Sequence, residues 1–417
     1  MNRELNVFLS DVKVGVLSQT QGGALSFQYD AEYIDGNGMA ISLSMPLSQA
    51  AIEDGITRSF FSGILPDENP RRNLARFLGV SEKNAFGLLE AIGGECAGAL
   101  SLRPIDFLVK EETEDPEILD DTRLKEILEI IKRRPMLAGQ DGVRLSLAGA
   151  QDKLAVGYIG GKVAIMKGNV PTTHILKPMI EGIEDSVQNE LFCMRLAKAM
   201  GLNVPNASII YVDAVPCYLV ERYDRITIGG NTTRVHQEDF CQALGIAPEL
   251  KYEREGGPNV EASLNILRQN SAQPAADIIQ FIRLLIFNYL IGNADAHGKN
   301  HSLIYNARKP QLAPAYDLLC TDIYPNFSRK MAMKIGGKYD PETVHLRHWH
   351  QLVPDTIVSK RNLEKTLRDS ANQISPRARK VIASFTTDNL NSVVFDQILS
   401  VIEARAKHLI GTLTGSF

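Results

Sequence analysis

The chain has 417 residues, with 45 Lys and Arg against 49 Asp and Glu, giving a formal net charge of −4. Its 44% hydrophobic and 23% charged residues are ordinary for a folded protein and exclude a collagenous, coiled-coil or mostly disordered chain. The balanced charge argues against a generally basic nucleic-acid coat, and the length predicts two or three domains.

Cysteine use and apolar segments indicate the compartment. Five scattered cysteines without a Cys-x-x-Cys pair predict buried thiols rather than disulfides or a zinc site. The first residues hold no long apolar run, so we expect no signal peptide. The most apolar stretch, Ile278 to Ile291, carries Gln280 and Arg283 and is too short for a membrane span. These features predict a cytoplasmic protein.

The first hundred residues predict strands and turns. Apolar residues alternate over 12–16 and 25–29, which is typical of half-buried strands. A helical patch covers Asn73 to Leu78, and a glycine-rich turn covers Gly93 to Gly98. We assign residues 1–105 to a β-rich N-terminal subdomain.

Residues 106–142 are predicted to be an acidic connector followed by a helix. Seven of the eleven residues from Glu111 to Asp121 are acidic, as in a solvated linker. Asp121 or Thr122 can cap the helix that follows, and Pro135 stops it. Its apolar residues recur at helical spacing: Leu124, Ile127, Leu128 and Ile131.

The rest of the chain divides into a strand-rich and a helical part. Strands dominate residues 143–236, interrupted by a helix near Val187 to Met200. Residues 237–417 are mainly helical, with strand-like exceptions at 302–305 and 331–335. Ala275 to Ile291 predicts a central buried helix that ends at Gly292. This order predicts an α+β, two-lobed enzyme.

The stretch from Gly292 to Asn300 carries the strongest chemical signal. Asp295 and Asn300 are five residues apart, and Asp317 follows 17 residues after Asn300. Kinases use this order for a catalytic base and two metal ligands, since a carboxylate must orient the attacking hydroxyl while amide and carboxylate oxygens hold Mg²⁺. Asp, Gly and Asn also make ordinary helix-ending turns.

Upstream segments follow the order of a kinase. A small-residue turn at 146–153 can cradle phosphates through its amides. Lys177 ends a strand, and Glu190 on the next helix is suited to pair with it. An apolar strand runs into a polar stretch at Leu219 to Tyr223, as expected for a hinge whose backbone receives adenine. Each signal is weak alone, and their order makes them specific.

With these landmarks in place, the chain resembles the HipA family of bacterial serine/threonine kinase toxins over nearly its whole length. The aromatic at Tyr223 and the alanine at Ala296, where a glycine often stands, are conservative departures. The matching segments are 64–67, 146–153, 172–177, 220–224, 237–239, 251–253, 256–258, 292–297 and 316–317.

The resemblance implies that Asp295 is the catalytic base, that Asn300 and Asp317 are Mg²⁺ ligands, and that Ser146 is an autophosphorylation site that switches the enzyme off. It implies that ATP contacts Ala148, Gly149, Ala150, Gln151, Asp152, Lys153, Lys177, Glu221, Arg222, Tyr223, Gln237, His297, Gly298, Lys299, Asn300, Tyr316 and Asp317. It also implies a HipB-type DNA-binding antitoxin as partner, operator DNA bound mainly through that antitoxin, and a target in translation such as glutamate–tRNA ligase.

Two other functions compete with this hypothesis. Asp295, His297, His301 and Asp317 could form the metal cluster of a phosphohydrolase, although this leaves Lys177 unexplained. His345, His348 and His350 we interpret as surface histidines rather than a zinc site. A non-catalytic co-repressor is the second alternative, because residues 360–380 hold seven basic and two acidic side chains, a net +5; a solvated helix face explains them equally well.

Overall fold

A computed structural model describes residues 2–106, 115–140, 142–387 and 390–415. Residues 111–114 of the predicted acidic connector lie outside the described residues. In chain order the strands are β1 (Arg3–Leu9), β2 (Val12–Gln19), β3 (Leu25–Tyr29), β4 (Leu100–Pro104), β5 (Glu117–Ile118), β6 (Leu154–Ile159), β7 (Lys162–Ile165), β8 (His174–Pro178), β9 (Ala207–Val212), β10 (Val215–Glu221), β11 (Arg225–Ile228), β12 (Asn231–Arg234), β13 (His236–Asp239), β14 (Ser302–Tyr305) and β15 (Gln311–Leu312).

The helices are distributed along the whole chain. They are α1 (Ala31–Asp35), α2 (Asp54–Gly63), α3 (Glu68–Leu78), α4 (Ala85–Ile92), α5 (Asp121–Ile131), α6 (Ser186–Ala199), α7 (Phe240–Ala243), α8 (Val260–Asn270), α9 (Pro274–Ile291), α10 (Leu346–Trp349), α11 (Ile357–Thr387) and α12 (Val394–Thr414). The chain forms two compact units, each discontinuous in sequence.

The first unit contains Met1–Pro178, Ile210–Lys251 and Ser302–Pro310. One of its sheets has the strand order β3-β2-β1-β4, and a larger sheet has the order β5-β7-β6-β8-β10-β9. Apolar side chains of the first sheet alternate inward and pack on α2, α3 and α4. A second core lies between α5 and the larger sheet. Strand β8, which ends near Lys177, is held between β6 and β10.

The second unit contains Met179–Ile209, Tyr252–His301 and Gln311–Phe417, and it is mainly helical. Helix α9 runs through its core, with eleven of its 18 residues buried. Phe385 of α11 stacks on Phe395 of α12 with ring centroids 4.8 Å apart, and Phe192 of α6 stacks on Phe395 at 5.7 Å. These contacts fix α6, α11 and α12 around the aromatic rings.

Several sequence predictions are confirmed and others are wrong. Helices α6 and α9 and strand β14 form where they are predicted, and all five cysteines are buried free thiols. The first hundred residues contain three substantial helices besides the strands, and only α3 is anticipated by the sequence pattern. Residues 331–335 form no strand; Ile335 makes only an isolated bridge to Lys338.

The start of α5 is also different from the prediction. Asp120, one residue before the predicted caps, is the N-cap, because its carboxylate accepts the N–H of Arg123. Among the described helices, α9 alone has the length and apolar character of a membrane span, and 61% of that stretch is buried inside the protein.

Candidate active site

The loop of residues 292–300, here the Asp295 loop, begins where α9 ends. Gly292 adopts the left-handed backbone conformation (φ +69°) that terminates the helix, and a Cβ there would lie 2.8 Å from Asp322 Cβ. Beyond it, Asn293 N–H donates to Asn288 O at 2.9 Å. Asp295 N–H donates to Asn293 Oδ1 at 3.0 Å. The buried helix therefore anchors the loop by main-chain and amide hydrogen bonds.

Asp295 and Asn300 are tied together. The Asn300 Nδ2 group donates to Asp295 O at 2.9 Å, and the Asn300 N–H donates to His297 O at 2.9 Å. The His297 N–H in turn donates to Asp295 O at 2.8 Å. The five-residue spacing thus closes one compact turn, in which both side chains are partly exposed to solvent. Because Nδ2 faces the chain, Oδ1 is the Asn300 atom suited to a metal.

Asp317 lies in a strained position on a separate loop. Its φ of +57° is in the left-handed region, where Asp and Asn are among the few side chains tolerated besides glycine. Its neighbour Tyr316 donates its hydroxyl to Lys299 O at 2.7 Å, which ties this loop to the Asp295 loop. Within the second unit, the two sequence segments that carry the predicted metal ligands are thus joined.

Helix α6 is hydrogen-bonded to the loop that carries Asp317. The buried Asn189 side chain accepts the Cys320 N–H and donates to Cys320 O, both at 2.9 Å. This two-way amide contact lies next to Glu190 in α6 and three residues beyond Asp317. The position of α6 and the position of the Asp317 loop are therefore linked.

The histidines of the second unit do not form a metal centre. Among the described residues, no three His, Cys, Asp or Glu side chains are placed to hold a metal ion. His301 is buried with its ring edge-on to Phe281 at 5.1 Å, and burial lowers its pKa to about 4. His348 is buried rather than exposed and accepts the His345 N–H at 2.9 Å, so its interpretation as a surface residue was wrong.

In the first unit, the loop of residues 146–153, here the small-residue loop, is held by contacts at both ends. Gly149 has a φ of +114°, a backbone conformation that favours glycine over any residue with a side chain. Lys153 Nζ donates to Ala148 O at 2.8 Å, and Gln151 Nε2 donates to Pro178 O at 3.0 Å. Asp67 N–H donates to Gly149 O at 3.0 Å.

Ser146 lies at the start of this loop and is fully buried. Its hydroxyl donates to Ile64 O at 3.0 Å, and its N–H donates to Glu95 O at 2.8 Å. The side chain therefore bonds to the residues after α2 and not to its own turn. In this conformation the hydroxyl is inaccessible to any phosphoryl donor.

Lys177 lies on the central strand β8 and is buried, with 6% of its surface exposed. It is directly opposite Tyr218 of β10, and its ammonium lies 5.5 Å from the centre of that ring. A lysine held in a buried strand against an aromatic face is not an ordinary surface residue.

The predicted hinge is supported by a buried group of charges, here the Glu95 cluster. No local sequence pattern indicates this cluster, because its members lie far apart in the chain. Glu95 accepts hydrogen bonds from Arg222 at 3.1 Å and from Arg225 at 2.9 Å. The cluster consists of Glu95, Thr172, Arg222, Asp224, Arg225 and Arg234.

Charge compensation keeps this cluster ionised. Burial alone would raise the pKa of Glu95, but Arg225, Arg222 and Arg234 outweigh it and hold the pKa below its usual value. The guanidinium group of Arg222 pairs with Glu95 and Asp224. The main-chain N–H of Arg222 donates to Thr173 O at 2.9 Å. Arg222 thus supports the hinge from inside.

Gln237 and Tyr223 meet in the first unit, since the Tyr223 hydroxyl donates to Gln237 Oε1. The neighbouring Glu238 is fully buried and accepts hydrogen bonds from Ser42 Oγ at 2.5 Å and Leu43 N–H at 3.0 Å. Burial raises the pKa of Glu238 to about 7. Gln237, a predicted nucleotide contact, is therefore the sequence neighbour of a buried carboxyl group whose pKa is raised.

Tyr252 makes a contact with the site that no motif in the sequence indicates. Its hydroxyl donates to Asp295 Oδ1 at 2.5 Å, within the second unit. The segment 251–253 is one of those that match the HipA family. Its tyrosine is the sequence feature that could have indicated a role for Tyr252.

Comparison with known proteins identifies the family. Residues 5–103 match the model of the HipA N-terminal domain, and residues 145–378 match that of the HipA-like C-terminal domain. The chain is 38% identical over 411 residues to a Sinorhizobium fredii protein named "Putative kinase Y4mE", covering 97% of this chain and 98% of that protein. It is 33% identical over 357 residues to the serine/threonine-protein kinase toxin HipA of Shewanella oneidensis, covering 82% and 80%.

A solved structure agrees with these matches. The structure of the Shewanella oneidensis MR-1 HipA, HipB and operator DNA complex contains a chain that superposes with a TM-score of 0.86 at 28% identity, covering 99% of this chain and 98% of that one. The predicted α+β, kinase-like fold of the HipA type is thereby confirmed. The chain belongs to the HipA family of kinase toxins.

Proposed function

We propose that this chain is an ATP-dependent serine/threonine protein kinase and the toxin of a type II toxin–antitoxin pair. The observation that carries the proposal is the closed turn in which Asn300 Nδ2 bonds to Asp295 O, in a chain of the HipA family. This turn presents a carboxylate and an amide oxygen together, as phosphoryl transfer requires.

The side chains suit nucleotide and Mg²⁺ chemistry. Asn300 Oδ1 and the Asp317 carboxylate are hard oxygen donors, and Mg²⁺ needs only one or two protein ligands because phosphates and water complete its shell. When bound, the ion would neutralise charge on the phosphates. Lys177 in the first unit would contact phosphate oxygens, the small-residue loop would offer main-chain amides, and Glu221 to Tyr223 with Gln237 would bind the nucleoside.

Asp295 has the base role in this proposal. It accepts the proton of the acceptor serine or threonine hydroxyl while that oxygen forms a bond to the γ-phosphorus, and the bond from the γ-phosphorus to the bridging oxygen breaks to release ADP. His297, Gly298 and Lys299 complete the proposed nucleotide contacts of the second unit.

The direct test is ATP-dependent phosphorylation by the purified chain and by Asp295→Asn, with Asp396→Asn on the exposed surface of α12 as the control. We expect phosphoryl transfer by the wild type and the control and none by Asp295→Asn. Equal transfer by all three would refute the base assignment. Phosphoproteomic comparison of cells expressing wild type and Asp295→Ala would then identify the target, for which we propose a protein of the translation machinery, with glutamate–tRNA ligase as the first candidate.

We further propose that Ser146 is an autophosphorylation site that switches the enzyme off. Because its hydroxyl is buried against Ile64 O, phosphorylation requires the small-residue loop to leave its place. The phosphate carries about −1.5 to −2 charges and cannot return to that buried position. The phosphorylated form should therefore bind ATP more weakly, which nucleotide titration of both forms would measure. Equal affinity would reject the switch.

A HipB-type antitoxin and operator DNA are the proposed partners, supported by the complex in which the Shewanella HipA was solved. The basic stretch 360–380 lies on α11. Arg361, Lys365 and Arg368 are exposed at helical spacing on it. This row would add phosphate contacts to an antitoxin–operator complex, and its replacement by glutamine should reduce the salt dependence of operator binding. An unchanged salt dependence would show that these three side chains do not contact the operator DNA.

A further inference from the structure

The Asp295 carboxylate is already in contact with a hydroxyl group of the protein itself. The Tyr252 hydroxyl donates to Asp295 Oδ1 at 2.5 Å, a short hydrogen bond between a neutral O–H and a carboxylate. Both residues belong to the second unit. Tyr252 lies 43 residues before Asp295, so the contact is produced by the fold and not by the local turn.

Several contacts hold the tyrosine in this place. Its carbonyl accepts the N–H groups of Glu255 and Gly257, each at 2.9 Å, which closes a tight turn after the residue. Its ring is edge-on to His297 at 5.0 Å, and the Arg254 guanidinium lies 5.1 Å from the ring centre. The phenol is thus directed at Asp295 from a fixed backbone, with only its side-chain torsions left to move it.

The next residue attaches the same turn to a second loop. The Glu253 carboxylate accepts the Lys334 N–H at 2.6 Å and pairs with the Lys334 ammonium at 3.4 Å. The turn is therefore supported independently of Asp295, and loss of the phenol hydroxyl alone should leave it in place.

The hydroxyl of Tyr252 is the same kind of group as the acceptor of the proposed reaction. A serine or threonine that receives the γ-phosphoryl group must donate its O–H to the carboxylate of the base. We propose that Tyr252 occupies this acceptor position on Asp295, so that a protein substrate has to displace it and water cannot easily do so. This inference rests on the proposed kinase function and gives Tyr252 the role of a positioning residue that selects protein hydroxyls over water.

Loss of the Tyr252 hydroxyl should change ATP hydrolysis and the acceptor KM in definite directions. Removal of the hydroxyl leaves the Asp295 carboxylate open to any small hydroxyl, including water, so ATP hydrolysis without an acceptor should increase. A protein acceptor no longer has to break the tyrosine bond, so the KM for the acceptor should decrease. The nucleotide contacts are unchanged, so the affinity for ATP should stay the same.

The test uses the full chain as wild type, Tyr252→Phe and Asp295→Asn. Tyr211→Phe, which removes an exposed hydroxyl, is the matched control. Free phosphate released from MgATP is measured without acceptor, and phosphoryl transfer is measured with a mixed serine- and threonine-containing peptide library. For Tyr252→Phe we expect about a tenfold rise in phosphate release, which corresponds to about 1.4 kcal/mol, and a lower acceptor KM, with the control at the wild-type level.

Other results would overturn the inference. Phosphate release and acceptor KM equal to wild type in Tyr252→Phe would show that the tyrosine does not compete. A parallel loss of hydrolysis and transfer would show that it only supports Asp295. Phosphate found on Tyr252 by mass spectrometry would make it an acceptor itself. If wild type and Asp295→Asn are equally inactive in every assay, the proposed kinase function has failed and not this inference alone.

Discussion

Replacement of Glu95 by glutamine is the most informative stability experiment that the fold offers. The variant keeps the size and one oxygen of the side chain but removes its charge from the Glu95 cluster. That cluster contains three guanidinium groups against the two carboxylates of Glu95 and Asp224. After the change, Asp224 is the one carboxylate left in the cluster, in contact with Arg222 and Arg225, while Arg234 loses its carboxylate partner.

The magnitude follows from burial. Removing one partner of a buried ion pair costs about 3–5 kcal/mol, because the remaining charge stays out of water without compensation. Arg222 keeps its contact with Asp224 at 2.8 Å, and Arg234 is partly exposed, so the lower end of that range applies. We expect Glu95→Gln to lower the free energy of unfolding by about 3 kcal/mol, a large part of the 5–15 kcal/mol that is typical of a domain.

Urea unfolding followed by circular dichroism measures this loss, and Glu126→Gln is the matched control. Glu126 also pairs with an arginine, but its side chain is 57% exposed. Exposed pairs contribute at most about 1 kcal/mol, so the control should unfold almost as wild type does. Trp349, the only tryptophan, lies in the second unit and follows that unit separately by fluorescence. Equal and small losses in both variants would refute the argument from buried charge.

Three further predictions concern the site itself. Asp317→Asn removes the negative charge of one metal ligand and Asn300→Ala removes the other ligand, so both should abolish phosphoryl transfer. Circular dichroism should be unchanged, since asparagine also tolerates the left-handed backbone of Asp317. Near-normal autophosphorylation in either variant would contradict the metal assignment. Lys177→Met should weaken ATP binding and slow turnover together, because a buried ammonium that holds phosphates serves the ground and transition states alike; unchanged nucleotide titration and rate would exclude Lys177 from the site. Burial raises the pKa of Glu238 to about 7 from its ordinary value of 4.5. The native state therefore keeps a proton that the unfolded state loses, and wild-type stability should decrease as pH rises through this window. The free energy of unfolding of Glu238→Gln, relative to that of wild type, should therefore increase by about 3 kcal/mol between pH 4.5 and pH 7. Urea unfolding of both proteins at both pH values measures this difference. A difference that is the same at both pH values would show that Glu238 does not titrate between them.

The sequence predicts those parts of the site whose signal is local. The Asp295–Asn300 spacing, the end of α9 at Gly292 and the small-residue loop depend on neighbouring residues, and periodicity or turn chemistry shows them. The Glu95 cluster depends on contacts that span 127 and 130 residues, which no local pattern contains. The predicted hinge included Arg222 as a nucleotide contact, whereas its side chain is directed into this cluster.

The early helices and the role of Tyr252 were missed for related reasons. Helix α4 is apolar on nearly every side because it is buried among other elements, so its period is hard to recognise. Tyr252 acquires its role only when the fold brings it to Asp295. Residues that act through a partner distant in sequence need the structure, and residues that act within a turn do not.

The contact between Asn189 and Cys320 has a mechanical consequence. The side-chain amide pairs with the peptide group as a neighbouring strand would, so α6 cannot slide along its axis without breaking two hydrogen bonds or carrying Cys320 with it. Cys320 is three residues from Asp317, and Glu190 is the next residue in α6. A shift of α6 along its axis that kept both hydrogen bonds would therefore displace Cys320, which lies three residues after Asp317 in the chain.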